Sequence, residues 1–308
     1  MKNYILVTGV AGNIGSYLAL SLLNKKYNVI GIDNLSTGTK EKLPNKDYKN
    51  FKFIFGDVNN KIKISNIFKL YNINFVFHFA AVVGVKRTQQ FPLKVMNDIN
   101  GTKYLLDLSV KYKIKRFFYS SSSEIYGEPV KLPLHEENSP LNSKIPYSVV
   151  KNISENYVKI FQEKFNLNYT IFRFFNTFGP NQSEDFVIPK FVKLALKNLP
   201  IPIYGDGLQT RTFLYIDDNI ETIINCFEKN LYVNEILNIG SNTEYKIINL
   251  AKKIIKLTNS TSKLKYLPAL PRGDMRRRQP NNNKMKKALR RKFFNLNLSL
   301  QKYINYIK

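Results

Sequence analysis

Short apolar runs alternate with helical stretches along the first part of the chain, and this alternation limits the folds open to it. The apolar runs fall at 4–8, 28–32, 51–55, 75–79 and 116–120. The stretches between them carry apolar residues three and four positions apart, near 13–25, 61–71 and 92–112. Strands that alternate with helices form parallel βαβ units covered on both faces. The sequence therefore predicts an α/β fold with a doubly wound parallel sheet.

The regular alternation of strands and helices ends after Asn176. A helix near 147–165 and a strand at 169–174 still follow the first pattern, but Pro and Gly then punctuate shorter elements. We predict a first domain over 1–175 and a smaller, interleaved C-terminal lobe over 176–308. Segments at about 210–240 are expected to cross back to the first domain.

Composition excludes several classes of protein and leaves one anomaly. The 308 residues are 44% hydrophobic, enough for a sizeable core, and one Cys and two His exclude a disulfide framework and a structural zinc site. Neither a signal peptide nor an 18-residue apolar run is visible, which favours a cytoplasmic protein without a membrane contact. The net charge is +26, and 17 basic residues against one acid follow position 250. Alone, this charge suggests a polyanion, but solvated lysine is common on surfaces, so we expect no nucleic-acid partner.

A glycine-rich turn joins the first predicted strand to the first predicted helix, over Thr8-Gly9-Val10-Ala11-Gly12-Asn13-Ile14-Gly15. Gly9 permits the sharp turn, Gly12 lets the backbone approach a pyrophosphate, and Gly15 allows close packing of helix on strand. The helix start at Asn13 and Ile14 presents free N–H groups to the phosphates. This placement is typical of a dinucleotide-binding, Rossmann-type domain.

Acidic residues end the next two strands. A carboxylate at Asp33, followed by Asn34, can accept hydrogen bonds from both adenosine ribose hydroxyls and would repel the 2′-phosphate of NADP, so NAD is favoured. The alternative for Asp33 is a strand-end cap. Asp57 and Val58 are placed to meet the adenine edge, although an Asp in a turn is also commonplace.

Tyr147 and Lys151 are four residues apart in a predicted helix, so they share one face. An ammonium near a phenol favours the phenolate, and we expect it to lower the pKa of Tyr147 and make it a general base. Such a pair is often only a solvated helix face. Support comes from Ser120–Ser123 at the end of the fifth strand, where open parallel sheets bind ligands.

With these motifs, the chain resembles the extended short-chain dehydrogenase/reductase family, in particular its NAD-dependent nucleotide-sugar epimerases, dehydratases and decarboxylases. Further markers are His78-Phe79-Ala80-Ala81, Tyr126-Gly127, Arg173 to Pro180, Tyr204 to Gly207 and Gln209-Thr210-Arg211. The resemblance implies that Ser122 is the catalytic hydroxyl, with Ser121 and Ser123 as weaker candidates. It also implies that Lys151 binds the nicotinamide ribose and that Ala80 lines the cofactor site. The substrate residues implied in the same way are Ser122, Glu124, Asn176, Tyr204, Arg211 and either Arg272 or the Arg276–Arg278 cluster, including Arg278. A homodimer is usual in the family.

Three positions depart from the family pattern, and one of them is Val150, which precedes Lys151 where Ser is common. Many relatives carry Asn where this chain has Asp98, which puts the supporting role of that position in doubt. Dehydratases usually carry Asp-Glu after the catalytic hydroxyl, whereas this chain has Ser123-Glu124, which argues against 4,6-dehydration.

The resemblance implies a reaction that begins with transient oxidation of the sugar at C4. The interpretation that we favour is a 4-epimerase of a UDP-hexose, such as UDP-glucose and UDP-galactose or their N-acetyl forms. A UDP-glucuronate decarboxylase stays open because Ser123-Glu124 and Arg278 match positions that decarboxylases use around the carboxylate, and a 4,6-dehydratase is a further alternative. A non-catalytic NAD-binding regulator would be expected to have a broken Ser/Tyr/Lys set, which is whole here.

Overall fold

The computed structural model describes residues 2–269 and 276–308, apart from the side chains of Val85 and Lys86. The strands in these residues are β1 (Asn3–Thr8), β2 (Asn28–Asp33), β3 (Phe51–Phe55), β4 (Asn72–His78), β5 (Arg116–Ser122), β6 (Tyr169–Phe174), β7 (Thr177–Phe178), β8 (Ile201–Tyr204), β9 (Thr210–Thr212), β10 (Leu214–Tyr215), β11 (Glu235–Ile239), β12 (Glu244–Lys246) and β13 (Leu264–Leu267). The helices are α1 (Asn13–Asn24), α2 (Lys61–Leu70), α3 (Val85–Gln90), α4 (Pro92–Lys111), α5 (Pro146–Phe165), α6 (Val187–Leu196), α7 (Ile216–Glu228), α8 (Ile247–Thr258), α9 (Asn283–Leu289) and α10 (Leu296–Ile307).

Seven parallel strands form the central sheet, in the order β11-β6-β5-β4-β1-β2-β3. The chain starts in the middle, winds outward to β3, and returns to β4 on the other side of β1. This reversal of direction creates a crevice at the carboxyl ends of β1 and β4, which is where doubly wound sheets bind ligands. The predicted Rossmann-type fold is confirmed.

Neighbouring residues of each central strand enter different hydrophobic cores. Val7, Phe77 and Phe118 belong to one buried cluster, and Leu6, Val76 and Phe117 belong to another. Helices α1 and α7 cover the first face, and α2, α4 and α5 cover the second. Because successive side chains point to opposite faces of a strand, near-continuous apolar runs are what a sheet covered on both sides requires.

The C-terminal half supplies three two-stranded sheets, which pair β7 with β10, β8 with β13 and β9 with β12. It also returns to the central sheet, because α7 packs against α1 and β11 pairs with β6. Around residues 212–216, β9 ends at Thr212, β10 follows, and α7 begins at Ile216.

Many of the C-terminal basic side chains pair with acids from the first 250 residues. Arg291 binds Asp218 at 2.6 Å and Glu221 at 2.7 Å. Lys284 similarly binds Glu235 at 2.8 Å, and further ion pairs join Lys284 to Glu137, Arg277 to Glu244 and Lys302 to Asp217. The uneven charge along the chain is therefore partly balanced across the fold. Within residues 2–269 and 276–308, no helix combines the length and apolar character needed to cross a bilayer.

Candidate active site

A cleft of about 810 Å³ opens at the carboxyl ends of the central strands. Its walls include the glycine-rich turn after β1, the ends of β2, β4 and β5, the start of α5, and the segment around Arg278. Most residues predicted for the cofactor and the substrate line this one cleft, so the fold brings them together from distant parts of the sequence.

At two positions of the glycine-rich turn, the backbone leaves room only for glycine. Gly9 has a φ of +69°, and a Cβ there would lie 2.7 Å from the backbone nitrogen of Ala80. A Cβ on Gly15 would collide with the carbonyl oxygen of Gly9. Gly12 donates its N–H to that same oxygen at 3.0 Å, and α1 begins directly after it, with Asn13 and Ile14 lining the cleft. The turn and the helix start form the cradle that a pyrophosphate needs.

Asp33 ends β2 beside this turn. Its Oδ2 accepts a hydrogen bond from Ala11 N at 2.9 Å, and its Oδ1 accepts one from Leu35 N at 2.8 Å. Each carboxylate oxygen can accept a second bond, so Asp33 can both hold the turn in place and bind ribose hydroxyls. The predicted strand-end cap and the predicted ribose ligand are thus compatible.

Asn34 and Asp57 form a second tie at the same edge of the cleft. Asn34 Nδ2 donates to Asp57 Oδ2 at 2.8 Å, and Asp57 Oδ1 accepts from Asn59 N at 2.8 Å. Val58 lines the cleft beside them and is buried. Contact of Asp57 and Val58 with an adenine remains a prediction.

A buried hydrogen-bonded chain runs from the glycine turn to α4. Thr8 Oγ1 accepts from the backbone nitrogens of Phe79 and Ala80, both at 3.1 Å, so its own proton points to His78 Nδ1 at 2.8 Å. His78 Nε2–H then donates to Thr102 Oγ1 at 3.0 Å. Burial lowers the pKa of His78 to about 3, so the ring is neutral. From the sequence His78 is only a family marker, whereas in the structure these hydrogen bonds hold Ala80 against Gly9.

Ser122, Tyr147 and Lys151 meet at the end of β5. Ser122 Oγ caps the following turn by accepting from Glu124 N at 3.2 Å, and its hydroxyl lies close enough to the Tyr147 phenol to act against the rise in the pKa of that phenol. Lys151 is buried and donates from Nζ to Ser120 O at 2.6 Å. Its Nζ lies 5.8 Å from the centre of the Tyr147 ring. Ser122 is therefore the hydroxyl of the serine run that faces Tyr147.

The environment of Tyr147 contradicts one expectation. Burial raises the pKa of Tyr147, the charge of Glu124 raises it further, and Ser122 and Arg278 act in the opposite direction. Burial lowers the pKa of Lys151 to about 8, against the influence of Asp98 and Glu155. The expectation that Lys151 lowers the pKa of Tyr147 is wrong for the chain by itself, because the ammonium is directed at Ser120 O and the phenol is desolvated.

Asp98 occupies the position where many relatives have Asn. Its Oδ2 accepts from Val82 N at 2.8 Å, and it lines the cleft. Burial raises the pKa of Asp98, and the nearby positive charge of Lys151 is among the influences that oppose this rise. An acid therefore lies close enough to Lys151 to interact with its charge.

Glu124 and Arg278 lie next to Tyr147 in the cleft. Arg278 is 6% exposed, and its Nη1 is 3.7 Å from Glu124 Oε1 and 3.4 Å from Ser123 Oγ. Among the described residues, Arg278 Nε has no hydrogen-bond partner. Glu124 and Arg278 therefore lie on the same side of the cleft as Tyr147.

The other predicted substrate residues lie farther along the chain. Asn176 lines the cleft and donates from Nδ2 to Thr212 O at 3.0 Å. Tyr204 ends β8 and Arg211 lies in β9, and neither is among the described residues that line the cleft. Arg272 lies outside the described residues. In the described part of the chain, no three His, Cys, Asp or Glu side chains cluster closely enough to hold a metal ion.

The fold and this site together define an NAD-dependent enzyme of the extended short-chain dehydrogenase/reductase class. Comparison with known sequences agrees: the NAD dependent epimerase/dehydratase family matches residues 5–240. The chain therefore belongs to the NAD-dependent nucleotide-sugar epimerase/dehydratase family. The cradle at Gly9–Gly15, with Asp33 beside it, fits the NAD on which this family depends.

Similar curated proteins differ in the reaction that they catalyse. A human dTDP-D-glucose 4,6-dehydratase is 34% identical, over 88% of this chain and 81% of its own length. A putative UDP-glucose 4-epimerase of Methanocaldococcus jannaschii is 36% identical, over 80% and 79%. A UDP-N-acetyl-alpha-D-glucosaminuronate decarboxylase of Bacillus cytotoxicus is 33% identical, over 93% and 91%. Sequence similarity therefore leaves the reaction open.

The solved structures that are similar to this chain include two 4-epimerases with different UDP-sugars bound. UDP-glucose 4-epimerase of Thermotoga maritima, solved with UDP-glucose, has a TM-score of 0.92 at 31% identity, covering 99% of this chain and 98% of that one. UDP-glucuronic acid 4-epimerase of Bacillus cereus, solved with UDP-glucuronic acid and NAD, has a TM-score of 0.88 at 30% identity, with the same coverage.

Proposed function

We propose that this protein is a UDP-hexose 4-epimerase that acts through transient oxidation of the sugar at C4. The observation that carries this proposal is the meeting of Ser122, Tyr147 and Lys151 beside the glycine-rich turn. These groups supply a base and a hydroxyl that orients it in the cleft, with a buried cation behind them. UDP-glucose and UDP-galactose, or their N-acetyl forms, are the proposed substrates.

Each of the three side chains has a defined task in this proposal. As the phenolate, Tyr147 takes the proton of the C4 hydroxyl and becomes the phenol, and it later returns this proton and ends as the phenolate again. Ser122 donates a hydrogen bond that stabilises the phenolate and orients the hydroxyl. Lys151 is held by Ser120 O at 2.6 Å and lies where the resemblance implies contact with the nicotinamide ribose. NAD, when bound, supplies the acceptor and the donor of hydride.

The chain's own residues support epimerisation over dehydration. Elimination of water across C5 and C6 needs an acid and a base near those carbons, which dehydratases of the family usually supply as Asp-Glu. Here the residue before Glu124 is Ser123, whose hydroxyl bonds Arg278. A hydroxyl beside a guanidinium is a poor proton donor compared with a carboxylic acid.

A second candidate is decarboxylation of UDP-glucuronate, and the geometry around Arg278 favours it. A buried guanidinium beside the sugar, whose Nε has no hydrogen-bond partner among residues 2–269 and 276–308, is suited to a carboxylate. Oxidation at C4 would then let C6 leave as carbon dioxide, and return of the hydride would give a pentose.

The two candidates are separated by incubating the protein and NAD with UDP-galactose, UDP-glucose, their N-acetyl forms and UDP-glucuronate, and identifying the products by NMR. Interconversion of C4 epimers is expected. A UDP-pentose from UDP-glucuronate would replace the proposal by its alternative. Tyr147→Phe should abolish turnover and leave NAD binding intact; an active Tyr147→Phe variant would remove the assigned base.

The family resemblance also supports a homodimer and a cytoplasmic location, which we propose with the same function. Light scattering of the purified protein tests the first. We propose no nucleic-acid partner. Salt-sensitive binding of DNA with a sub-micromolar Kd would contradict this part of the proposal.

A further inference from the structure

A buried polar network begins on the helix that carries Tyr147 and Lys151. Arg173 of β6 binds Glu155 of α5 through two bonds, Nε to Oε1 at 3.0 Å and Nη2 to Oε2 at 2.7 Å. Glu155 lies one helical turn beyond Lys151, and both members of the ion pair are buried. A bidentate pair of this kind fixes the plane of the guanidinium. The third guanidinium nitrogen, Nη1, is therefore aimed away from the helix in a set direction.

Tyr126 continues the network from this nitrogen. Its hydroxyl accepts from Arg173 Nη1 at 2.9 Å and donates to Asn238 Oδ1 at 2.7 Å. The direction follows because a guanidinium can only donate. Tyr126 is the last residue of the turn Ser123–Tyr126, which contains Glu124. One end of the Glu124–Arg278 pair is thus attached to the network.

Asn238 attaches the other end. Its Nδ2 donates to Leu134 O at 3.0 Å and to Asn281 O at 3.3 Å. The backbone of Leu134 in turn donates to Gln279 O at 2.8 Å and accepts from Asn281 N at 2.7 Å. These bonds hold the backbone that directly follows Arg278. The hydroxyl of Tyr126 joins the Glu155–Arg173 pair and the turn Ser123–Tyr126 to Asn238. Glu136 makes a parallel connection that does not include the turn, because its O accepts from Arg173 Nη1 at 2.9 Å and its Oε1 accepts from Asn238 N at 2.9 Å.

From this geometry we propose that Tyr126 is a positioning residue, which sets Glu124 and Arg278 against the sugar of the nucleotide-sugar substrate. The proposal rests on the proposed function only in that Glu124 and Arg278 face a sugar. The 3.7 Å between Arg278 Nη1 and Glu124 Oε1 is longer than a hydrogen bond, so the guanidinium keeps donors for the ligand. Loss of the Tyr126 hydroxyl removes the bond that ties the turn to Asn238 and leaves the long contacts of Arg278 with Ser123 and Glu124 to hold the two segments together, so the sugar loses part of a preorganised contact.

Tyr126→Phe removes only this hydroxyl, and calorimetry on the NAD-loaded protein measures the result. We expect the Kd for UDP-glucose and for UDP-glucuronate to rise about fivefold to tenfold, the worth of one or two hydrogen bonds. The Kd for UDP should stay unchanged, because UDP has no sugar beyond its phosphates. Tyr303→Phe is the matched control: it removes another buried phenol hydroxyl, on α10, and should leave all three affinities unchanged.

If Tyr126→Phe raises the Kd for UDP as much as it raises the Kd for the UDP-sugars, the variant has a general structural defect and the proposal is overturned. Unchanged Kd values for both UDP-sugars would overturn it as well. Wild-type protein that binds neither UDP nor a UDP-sugar would overturn the proposed function and this inference with it. Wild-type protein that binds the sugars but turns none over would contradict the proposed function alone.

A double-mutant cycle tests the path to Arg278. In the Arg278→Gln background, Tyr126→Phe should raise the Kd for UDP-glucuronate by less than about twofold, since its effect passes through Arg278. The same factor in both backgrounds would contradict the path. If circular dichroism finds Tyr126→Phe unfolded, Asn238→Ser interrupts the network one residue later and must give the same difference between UDP and the UDP-sugars.

Discussion

Breaking the buried Glu155–Arg173 ion pair is expected to cause a large loss in the free energy of unfolding. Glu155 is 0% exposed and Arg173 is 1% exposed, and two direct hydrogen bonds join them. In Glu155→Gln, the amide carbonyl can keep one bond, but the amide NH2 would then face a guanidinium N–H. A buried positive charge would be left uncompensated. Breaking a buried pair from one side costs about 3–5 kcal/mol, so we expect a loss of that size in the free energy of unfolding.

Urea unfolding followed by far-UV circular dichroism measures this loss. The matched control is Asp107→Asn, which breaks the exposed Lys103–Asp107 pair of α4, joined at 3.1 Å. Exposed pairs four residues apart on a helix are worth about 0.3–0.5 kcal/mol, so the control should unfold almost as the wild type does. A loss below about 1 kcal/mol in Glu155→Gln would refute the reasoning, because the buried arginine would then have found another partner or water.

Two further predictions concern the cleft. Asp98→Asn removes a negative charge that holds up the pKa values of Lys151 and Tyr147, so both should fall. Lys151 has a pKa of about 8 and becomes neutral as the pH rises, so a lower pKa makes it neutral at a lower pH. A lower pKa of Tyr147 means that its phenol loses its proton, and becomes the base, at a lower pH as well. The profile of kcat/KM against pH should therefore move as a whole to lower pH by about one unit, and a profile that is unmoved or moved upward would contradict the assignment. Gly9→Ala places a Cβ 2.7 Å from Ala80 N at a φ of +69°, so NAD affinity, followed by fluorescence titration, should fall at least about tenfold; wild-type affinity would show that the turn tolerates a side chain.

Much of the fold could be predicted because its signals are local. The apolar runs of the central strands, the glycine spacing after β1 and Pro146 at the start of α5 each act within a few residues. The short helix α3, at 85–90, was not predicted. Its six residues, Val-Lys-Arg-Thr-Gln-Gln, span fewer than two helical turns and show no apolar periodicity.

The site could be predicted in its parts but not in its interactions. The choice of Ser122 from four consecutive serines came from the family resemblance, and the structure brings that hydroxyl to Tyr147. The raised pKa of Tyr147 was missed because desolvation depends on the surrounding fold and not on the spacing of Tyr147 and Lys151.

The network through Tyr126 and Asn238 could not be predicted either. Its members are 112 residues apart in sequence, and no periodic pattern joins them. The same holds for Arg291 and Asp218, whose pairing accounts for part of the basic C-terminal segment.

The central claim is the removal and return of hydride at C4, and a deuterium label tests it most directly. UDP-glucose carrying deuterium at C4 is incubated with the NAD-loaded protein, and the product is examined by proton NMR and mass spectrometry. The account predicts UDP-galactose with the deuterium still at C4, since the same hydride is returned to the opposite face. Deuterium at C6 of a 4-keto-6-deoxy sugar would mean a dehydratase, and recovery of unchanged UDP-glucose and UDP-galactose from separate incubations would contradict the account.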